Sequence, residues 1–330
     1  MIQEPYASNS SNEPETPWTV PTLGVCIVTY NSESDIAGCL DAVLAQTYPI
    51  TRIVVVDNAS ADGTLDALIP YKERIVLIPS STNTGFAGGQ NIAIKHAETD
   101  YVLVLNPDVR LQPDYAANVI AAMAVDSGIG SGCGLLVRTG NGSVVDSTGL
   151  AMSRTGQATD RGAGEEASRW QTPGDVFGVS GAAALYASSM IADISIDGQF
   201  FDETFFAYKE DVDVAWRARL LGWRSVYVPS AKAVHGRGWK QGGRRAISIW
   251  VRRHSYQNQW FTLLKNEPLR WQSIYLWPII AAKELVKLGY IIVREPGLLA
   301  CWPRIMRTLP EMLRKRKIIY SLRRKRLHHS

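Results

Sequence analysis

The chain has 330 residues, 46% hydrophobic and 20% charged, with a formal net charge of +4. That length and apolar content exclude a wholly disordered chain and suit one large domain or two ordinary ones. The net charge hides a division: residues 1–231 hold 13 basic against 27 acidic side chains (13 − 27 = −14), and residues 232–330 hold 22 against 4 (22 − 4 = +18).

Residues 1–21 lack a basic segment followed by an apolar one, so they read as a disordered leader and not as a signal peptide. From Leu23 the chain alternates. LGVCIVTY (23–30), RIVVVDN (52–58), IVLIP (75–79) and YVLVLNPD (101–108) are short apolar runs with β-forming composition. Helical spacing lies between and after them. It shows at 33–46 through Ile36, Leu40, Val43 and Leu44, then in DGTLDALIPY, in GFAGGQNIAIKHA (85–97) and at 113–126. Fully apolar strands alternating with helices predict an α/β fold with a parallel sheet covered on both faces. Ligands of such sheets bind at the carboxyl ends of the strands. The polar ends Thr29-Tyr30-Asn31, Asp57-Asn58 and Asn106-Pro107-Asp108 therefore mark the expected site.

Residues 139–175 are rich in Gly, Ser, Thr and charge and are expected to form a long loop over that site. Residues 175–187 return to strand-like packing, and 225–235 read as a late strand pair ending in His235. Beyond 244 the chain becomes helical and basic, with breaks expected at Pro268, Pro278, Pro296, Pro303 and Pro310. Cys26, Cys39, Cys133 and Cys301 are scattered without a CxxC pair, which argues against a disulfide scaffold or structural zinc and fits a reducing compartment.

Several residues bear on chemistry. Asp108 follows a buried strand on a proline-held turn; it suits a hard cation or a plain Asx-turn. Asp57 suits hydrogen bonds from a base or ribose, or belongs to the cap region with Ser60 and Asp62. GFAGGQN (85–91) offers close backbone approach and a helix N-terminus, but is neither a dinucleotide fingerprint nor a Walker loop. In FDETFFAYKEDVDVAWRARLLGW (201–223), Glu210, Asp211 and Asp213 open a helix. Asp213 reads as a charge cap and Asp211, beside aromatics, as a general base. His235 is either structural or a second metal ligand with Asp108. No GxSxG nucleophile is present.

Seven motifs in order, VTYNS (28–32), VVVDNASADGT (54–64), NTGFAGGQN (83–91), LNPDV (105–109), SGAAAL (180–185), residues 201–223 and VH (234–235), resemble the family 2 glycosyltransferases of GT-A fold, most closely the bacterial rhamnosyltransferase-like group. The resemblance covers roughly residues 22–240. It implies a GT-A domain over 22–240 and leaves 241–330 as a helical, basic, membrane-associating extension. It implies inverting transfer of a sugar, taken as L-rhamnose from dTDP-rhamnose, to a glycan or polyprenyl-linked glycan acceptor. On this resemblance Thr29, Tyr30, Asn31, Glu33, Asp57, Asn58, Gly85, Phe86, Ala87, Gly88, Asn91 and Asn106 line the nucleotide and donor, with Lys240, Arg244 and Arg245 near the diphosphate. Gly181, Ala182 and Glu210 lie on the acceptor side. Asp211 matches the base, and Asp108 and His235 match contacts to a divalent cation, Mg²⁺ or Mn²⁺. Asn106 stands where the family's DXD motif has its first acid.

Same-fold transferases of UDP- or GDP-sugars, a non-catalytic carbohydrate- or lipid-binding protein, and a nucleotidyltransferase are the competing readings. Intact Asp108 and Asp211 argue against the second; the absence of a Gly-rich basic loop after the first strand argues against the third. In the basic third, the longest charge-free run of 271–293 is 12 residues (271–282), short of the ~18–20 needed to span a bilayer. Its Trp, Tyr and basic residues point to an anionic membrane surface, ahead of a solvated tail or nucleic acid. These expectations place the protein in the cytoplasm, peripheral to the inner face of the cell membrane, and leave a homodimer open.

Overall fold

The computed structural model describes residues 20–236, 247–267 and 276–329. The expected alternation is present. Strands β1 (Leu23–Thr29), β2 (Arg52–Asp57), β3 (Val76–Pro79) and β4 (Tyr101–Leu105) are separated by helices α1 (Ile36–Leu44), α2 (Thr64–Leu68) and α3 (Gly85–Ala97). Their β-branched runs form a parallel sheet in the order β3-β2-β1-β4. Every residue of β1 is buried, as expected for a strand covered on both faces. The apolar stripe of α1 buries Ile36, Cys39, Leu40 and Val43. A Cβ on Gly89 would lie 2.7 Å from Val28, so that glycine lets α3 lie flat on β1.

The second half of the sheet is mixed. After β5 (Val109–Leu111) and α4 (Tyr115–Met123) come β6 (Ile129–Arg138) and β7 (Asn141–Ser147). The hairpin β8 (Leu150–Met152) and β9 (Ala158–Asp160) follows, then β10 (Gly174–Val176), β11 (Ala183–Ala187) and α5 (Ser188–Ile194). Strand β11 runs antiparallel between β4 and β6 and joins the halves. Next are α6 (Glu210–Leu220) and β12 (Arg224–His235). Two expectations are corrected here. Residues 139–175 are not a loop: they contain β7, β8, β9 and the start of β10. The expected strand pair at 225–235 is one strand, β12, whose pairing with β6 shifts register between Val228 and Lys232, across Pro229 and Ser230.

The basic third forms α7 (Ile249–Asn266), α8 (Leu276–Arg294), a 3₁₀ segment (Pro296–Cys301) and α9 (Trp302–His329). Pro303 and Pro310 do not break the chain as expected. Pro303 sits in the first turn of α9, where a missing N–H is harmless. Pro310 lies inside α9 on its exposed side. Pro278 likewise lies within α8, and Pro268 is outside the described residues. These helices share a core with the sheet domain: Phe205 packs with Phe261, Ile291, Leu298, Ile305 and Met312. All four cysteines are buried and act as small apolar groups.

Helix α8 is oriented against its sequence polarity. Its central lysines turn inward: Lys283 donates to Thr155 Oγ1 and Gln157 Oε1 (both 2.8 Å), and Lys287 lies over the Tyr256 ring. Its outer face carries Ile279, Leu285, Val286, Tyr290 and Val293, with Leu285 68% and Val286 76% exposed. Among the described residues no helix is long and apolar enough to cross a membrane.

Candidate functional site

A cleft of about 800 Å³ opens at the carboxyl end of β4, the amino end of the antiparallel β11 and the N-terminus of α6. Asn106, Asp108, Ser180, Gly181, Ala182, Glu210, Asp211 and His235 line it, so residues more than 100 positions apart in sequence converge. Phe86 contributes from the first turn of α3.

Asp211 sits in the first turn of α6, where the helix dipole favours a carboxylate. Two backbone N–H groups fix it: Val212 donates to Oδ1 (2.7 Å) and Gly181 to Oδ2 (3.1 Å). Removal from bulk water raises its pKa, and Asp160 adds to the rise, while the Gly181 and Val212 amides and Lys209 oppose it. A carboxyl whose pKa is raised by its surroundings is suited to take a proton. Neighbouring Glu210 is more deeply buried; burial first, then Asp211, drives its pKa well up, and its Oε2 has no hydrogen-bond partner among the described residues.

Asp108 and His235 meet on adjacent strand ends, since β5 and β12 pair Val109 with His235. His235 Nε2 lies 3.2 Å from Asp108 Oδ1, and Nδ1 lies 2.7 Å from Asp146 Oδ2. Burial opposes a charge on this imidazole, yet the two flanking carboxylates prevail and raise its pKa. Among the described residues no three acidic, His or Cys side chains cluster as a metal site. The pair nevertheless suits a divalent cation that accepts mixed oxygen and nitrogen donors: one carboxylate and one imidazole nitrogen, the ring held from behind by a second carboxylate. Asp146 comes from β7, within the segment expected to be a loop, so no sequence signal marked it.

The residues expected around the nucleotide split into two groups. Tyr30, Asn31 and Glu33 lie on the loop after β1. The Asn31 side chain accepts from Ala61 N–H (2.8 Å) and Glu33 accepts from Gly63 N–H (3.1 Å), which ties that loop to the one after β2. Thr29, Asp57 and Asn58 are buried beneath them. Asp57 accepts from Thr29 Oγ1 (2.8 Å) and from the Ser60 amide and hydroxyl, while Asn58 donates to Gly85 O (2.8 Å). None of these six residues is in the lining of the cleft described above. Lys240, with Arg244 and Arg245, lies outside the described residues.

Three expectations need correction. Asn91 does not face the cleft: its buried amide bonds both the N–H and the C=O of Phe201 (2.9 and 2.7 Å) and so braces the chain before α6. The glycine-rich start of α3 is not an open phosphate cradle, because the Gly85 N–H goes to Asn83 Oδ1 (2.8 Å) and the Ala87 N–H to Phe206 O (3.1 Å). Gly85, at φ 75°, is required by that second contact: a Cβ there would lie 2.4 Å from Phe206 O. Gly88 packs against Thr84. Asp213 is not a solvent-facing cap but a fully buried anion bonded to Arg217 (3.0 Å), Lys265 (2.9 Å) and Asn266 (2.8 Å).

The segment joining donor side and base is strained. Phe206, Tyr208 and Lys209 have φ of 64°, 71° and 67°. Such a conformation costs non-glycine residues about 1–3 kcal/mol each and persists only where its surroundings enforce it. Asn258 of α7 enforces it: its buried Nδ2 lies 2.9, 2.9 and 2.7 Å from the carbonyls of Phe205, Ala207 and Tyr208. The C-terminal third therefore shapes the cleft.

Known proteins share both the sequence pattern and the fold. Residues 24–186 match the profile of Glycosyl transferase family 2. The N-acetylglucosaminyl-diphospho-decaprenol L-rhamnosyltransferase of Mycobacterium tuberculosis is 29% identical over 243 residues, 67% of this chain and 78% of that protein. Two crystal structures share the fold. Staphylococcus aureus TarS has TM-score 0.58 and 17% identity over 92% of this chain; the chain spans about half (53%) of that protein. The Pyrobaculum calidifontis mannosyltransferase PcManGT, solved with GDP-Man and Mn²⁺, has TM-score 0.55 and 18% identity, covering 94% of this chain and 88% of that one. The profile match spans the parallel half of the sheet through β11 and so includes Asp108 and the Gly181 amide that holds Asp211; the chain carries a glycosyltransferase family 2 domain.

Proposed function

We propose that this glycosyltransferase moves L-rhamnose from dTDP-rhamnose, with inversion, to a hydroxyl of an N-acetylglucosaminyl-diphosphate carried on a polyprenol. The observation that carries the reading is the shared cleft: an amide-fixed carboxylate of raised pKa, Asp211, opens onto the same space as the Asp108–His235 pair. The sequence likeness to a rhamnosyltransferase named for that lipid-linked acceptor supports the substrate pair.

In the proposed reaction Asp211 takes the proton of the acceptor hydroxyl as its oxygen forms a bond to the anomeric carbon. The bond from that carbon to the diphosphate oxygen breaks on the opposite face, and dTDP leaves with the electron pair. Asp108 and His235 would hold a divalent cation, which supplies positive charge at the diphosphate. Tyr30, Asn31 and Glu33, on their cross-tied loop, flank the nucleotide; Asp57 and Asn58 fix that loop and the start of α3. Gly181, Ala182 and Glu210 form the acceptor side. The GT-A unit spans 22–240 and the helical region 241–330. The inverted α8, with its apolar face outward, supports seating at an anionic membrane surface, where a polyprenyl acceptor resides.

The test is transfer from dTDP-rhamnose, UDP-GlcNAc, UDP-galactose and GDP-mannose to a short-chain N-acetylglucosaminyl diphosphate lipid. Rhamnosyl transfer from dTDP-rhamnose alone is expected, lost in EDTA and restored by Mn²⁺ or Mg²⁺. Faster transfer from a UDP- or GDP-sugar overturns the donor; activity unchanged by EDTA overturns the cation.

A further inference from the structure

We infer that Trp250 and Tyr208 form an aromatic platform that binds a pyranose ring of the acceptor at the rim of the cleft. This rests on the glycosyltransferase assignment but on neither the proposed donor nor the proposed acceptor.

Tyr208 lines the cleft three residues before Asp211, and it is 42% exposed. Trp250 stands in the first turn of α7 and is 45% exposed. Both are large aromatic groups partly exposed beside the cleft. The Trp250 ring is held on several sides. It stacks on His254 at 4.1 Å between centroids with a 37° tilt, and it meets Phe206 at 5.9 Å and Tyr208 at 6.2 Å in edge-to-face contacts. His254 occupies one face of the indole, so the exposed surface is a fixed aromatic face and not a loose side chain.

The strained segment supplies the other half. Left-handed Phe206 and Tyr208, held by Asn258 through the carbonyls of Phe205, Ala207 and Tyr208, bring their rings into contact with Trp250, apart from the core that takes Phe205. The strain thus has a product: two exposed aromatic rings set edge to face, one of them three residues before Asp211. The polarised C–H groups on one face of a pyranose pack on such rings while its hydroxyls remain free for polar neighbours. Ser248 and Ser255, also on the rim, are of the type that would meet those hydroxyls. A sugar seated here lies next to the carboxylate that must remove its proton, and α7 becomes part of the acceptor site.

The test uses the full chain and does not require turnover. Saturation-transfer NMR is run with methyl glycosides of GlcNAc, mannose and galactose on wild type, Trp250→Ala, Trp250→Phe and Tyr208→Ala, with dTDP and UDP binding and thermal melting in parallel. Wild type is expected to transfer saturation to ring protons of at least one glycoside. Trp250→Ala and Tyr208→Ala are expected to weaken that binding tenfold or more and Trp250→Phe less than threefold, with nucleotide affinity within twofold throughout. No glycoside signal in wild type, or an undiminished signal in Trp250→Ala, overturns the platform. So does unchanged glycoside binding with lost partitioning onto phosphatidylglycerol vesicles, which would assign the rings to lipid. Failure of rhamnosyl transfer alone overturns the proposed function and leaves the platform standing.

Discussion

At Asp211 the chemistry depends on an environment that also has a cost. The carboxylate must be ionised to take a proton, and its removal from water raises the pH at which ionisation occurs. The acid limb of kcat/KM is therefore expected above the ordinary carboxylate range of about 4. Asp211→Asn should lower kcat by about 10²–10⁴-fold, the usual worth of a general base, and leave nucleotide affinity within twofold. Loss of nucleotide binding in a melt with dTDP would show that Asp211 holds the fold instead. Glu210 bears the cost more plainly, with a buried oxygen lacking a partner among the described residues and a pKa well above normal. A carboxyl whose folded pKa is raised adds stability only below its unfolded pKa and loses it as pH rises through the folded value. Glu210→Gln should therefore raise the melting temperature at pH 8 and change it little near pH 4. An equal gain at both pH values would contradict burial of the charge as the cause.

At the scale of elements, the sequence was most readable where one segment determines its own environment. The four apolar strands and the stripe of α1 need only local pattern, and they appear within a few residues of expectation. Of the strand ends expected to mark the site, the one after β4 supplies Asn106 and Asp108 to the cleft, while those after β1 and β2 lie outside its lining. Pairing across the chain was not legible. Asp146 reaches His235 because β7 folds back on β6, and the glycines and polar residues of 139–175 disguise short edge strands as a loop. Asn91 looked like a pocket residue because local motif carries no record of the distant Phe201 backbone. Helix α8 is the sharpest case. Composition gave an interfacial helix, but only packing shows that Lys283 and Lys287 turn inward and the apolar face outward. Leu285→Glu with Val286→Glu should thus abolish sedimentation with phosphatidylglycerol vesicles, because each charge is placed on the face proposed to enter the lipid. Melting temperature and transfer to a water-soluble acceptor should not change. Retained sedimentation would move membrane contact to another surface; conversion of a dimer to a monomer would assign the face to a second copy.

In the whole molecule, the acidic and basic halves of the sequence do not simply face different partners. Part of their charge meets in a buried hub. Lys265 of α7 bonds Asp202 (2.7 Å) and Asp213 (2.9 Å), Lys315 of α9 bonds Asp202 (2.7 Å), and Arg217 bonds Asp213 (3.0 Å). All five side chains are at most 5% exposed. Burial alone would raise the pKa of both aspartates, but the lysines and Arg217 outweigh it and hold them below the ordinary carboxylate range. The hub therefore contributes its full stability above an unfolded-state pKa of about 4, and loses it as pH falls through the lower folded values. Acid should detach α7 and α9 from the sheet domain, taking Asn258 and its hold on the segment before Asp211 with them. Lys265→Met removes the cation shared by both aspartates and leaves buried negative charge short of a partner, a change that costs about 3–5 kcal/mol. In that variant the drop in melting temperature should be largest at pH 7 and should shrink toward pH 3, where the wild type has itself begun to lose the hub. A constant difference across that range would show that the lysine contributes packing and not charge. A variant that melts normally yet has lost its activity would show that Lys265 acts on the catalytic segment without holding the two halves together.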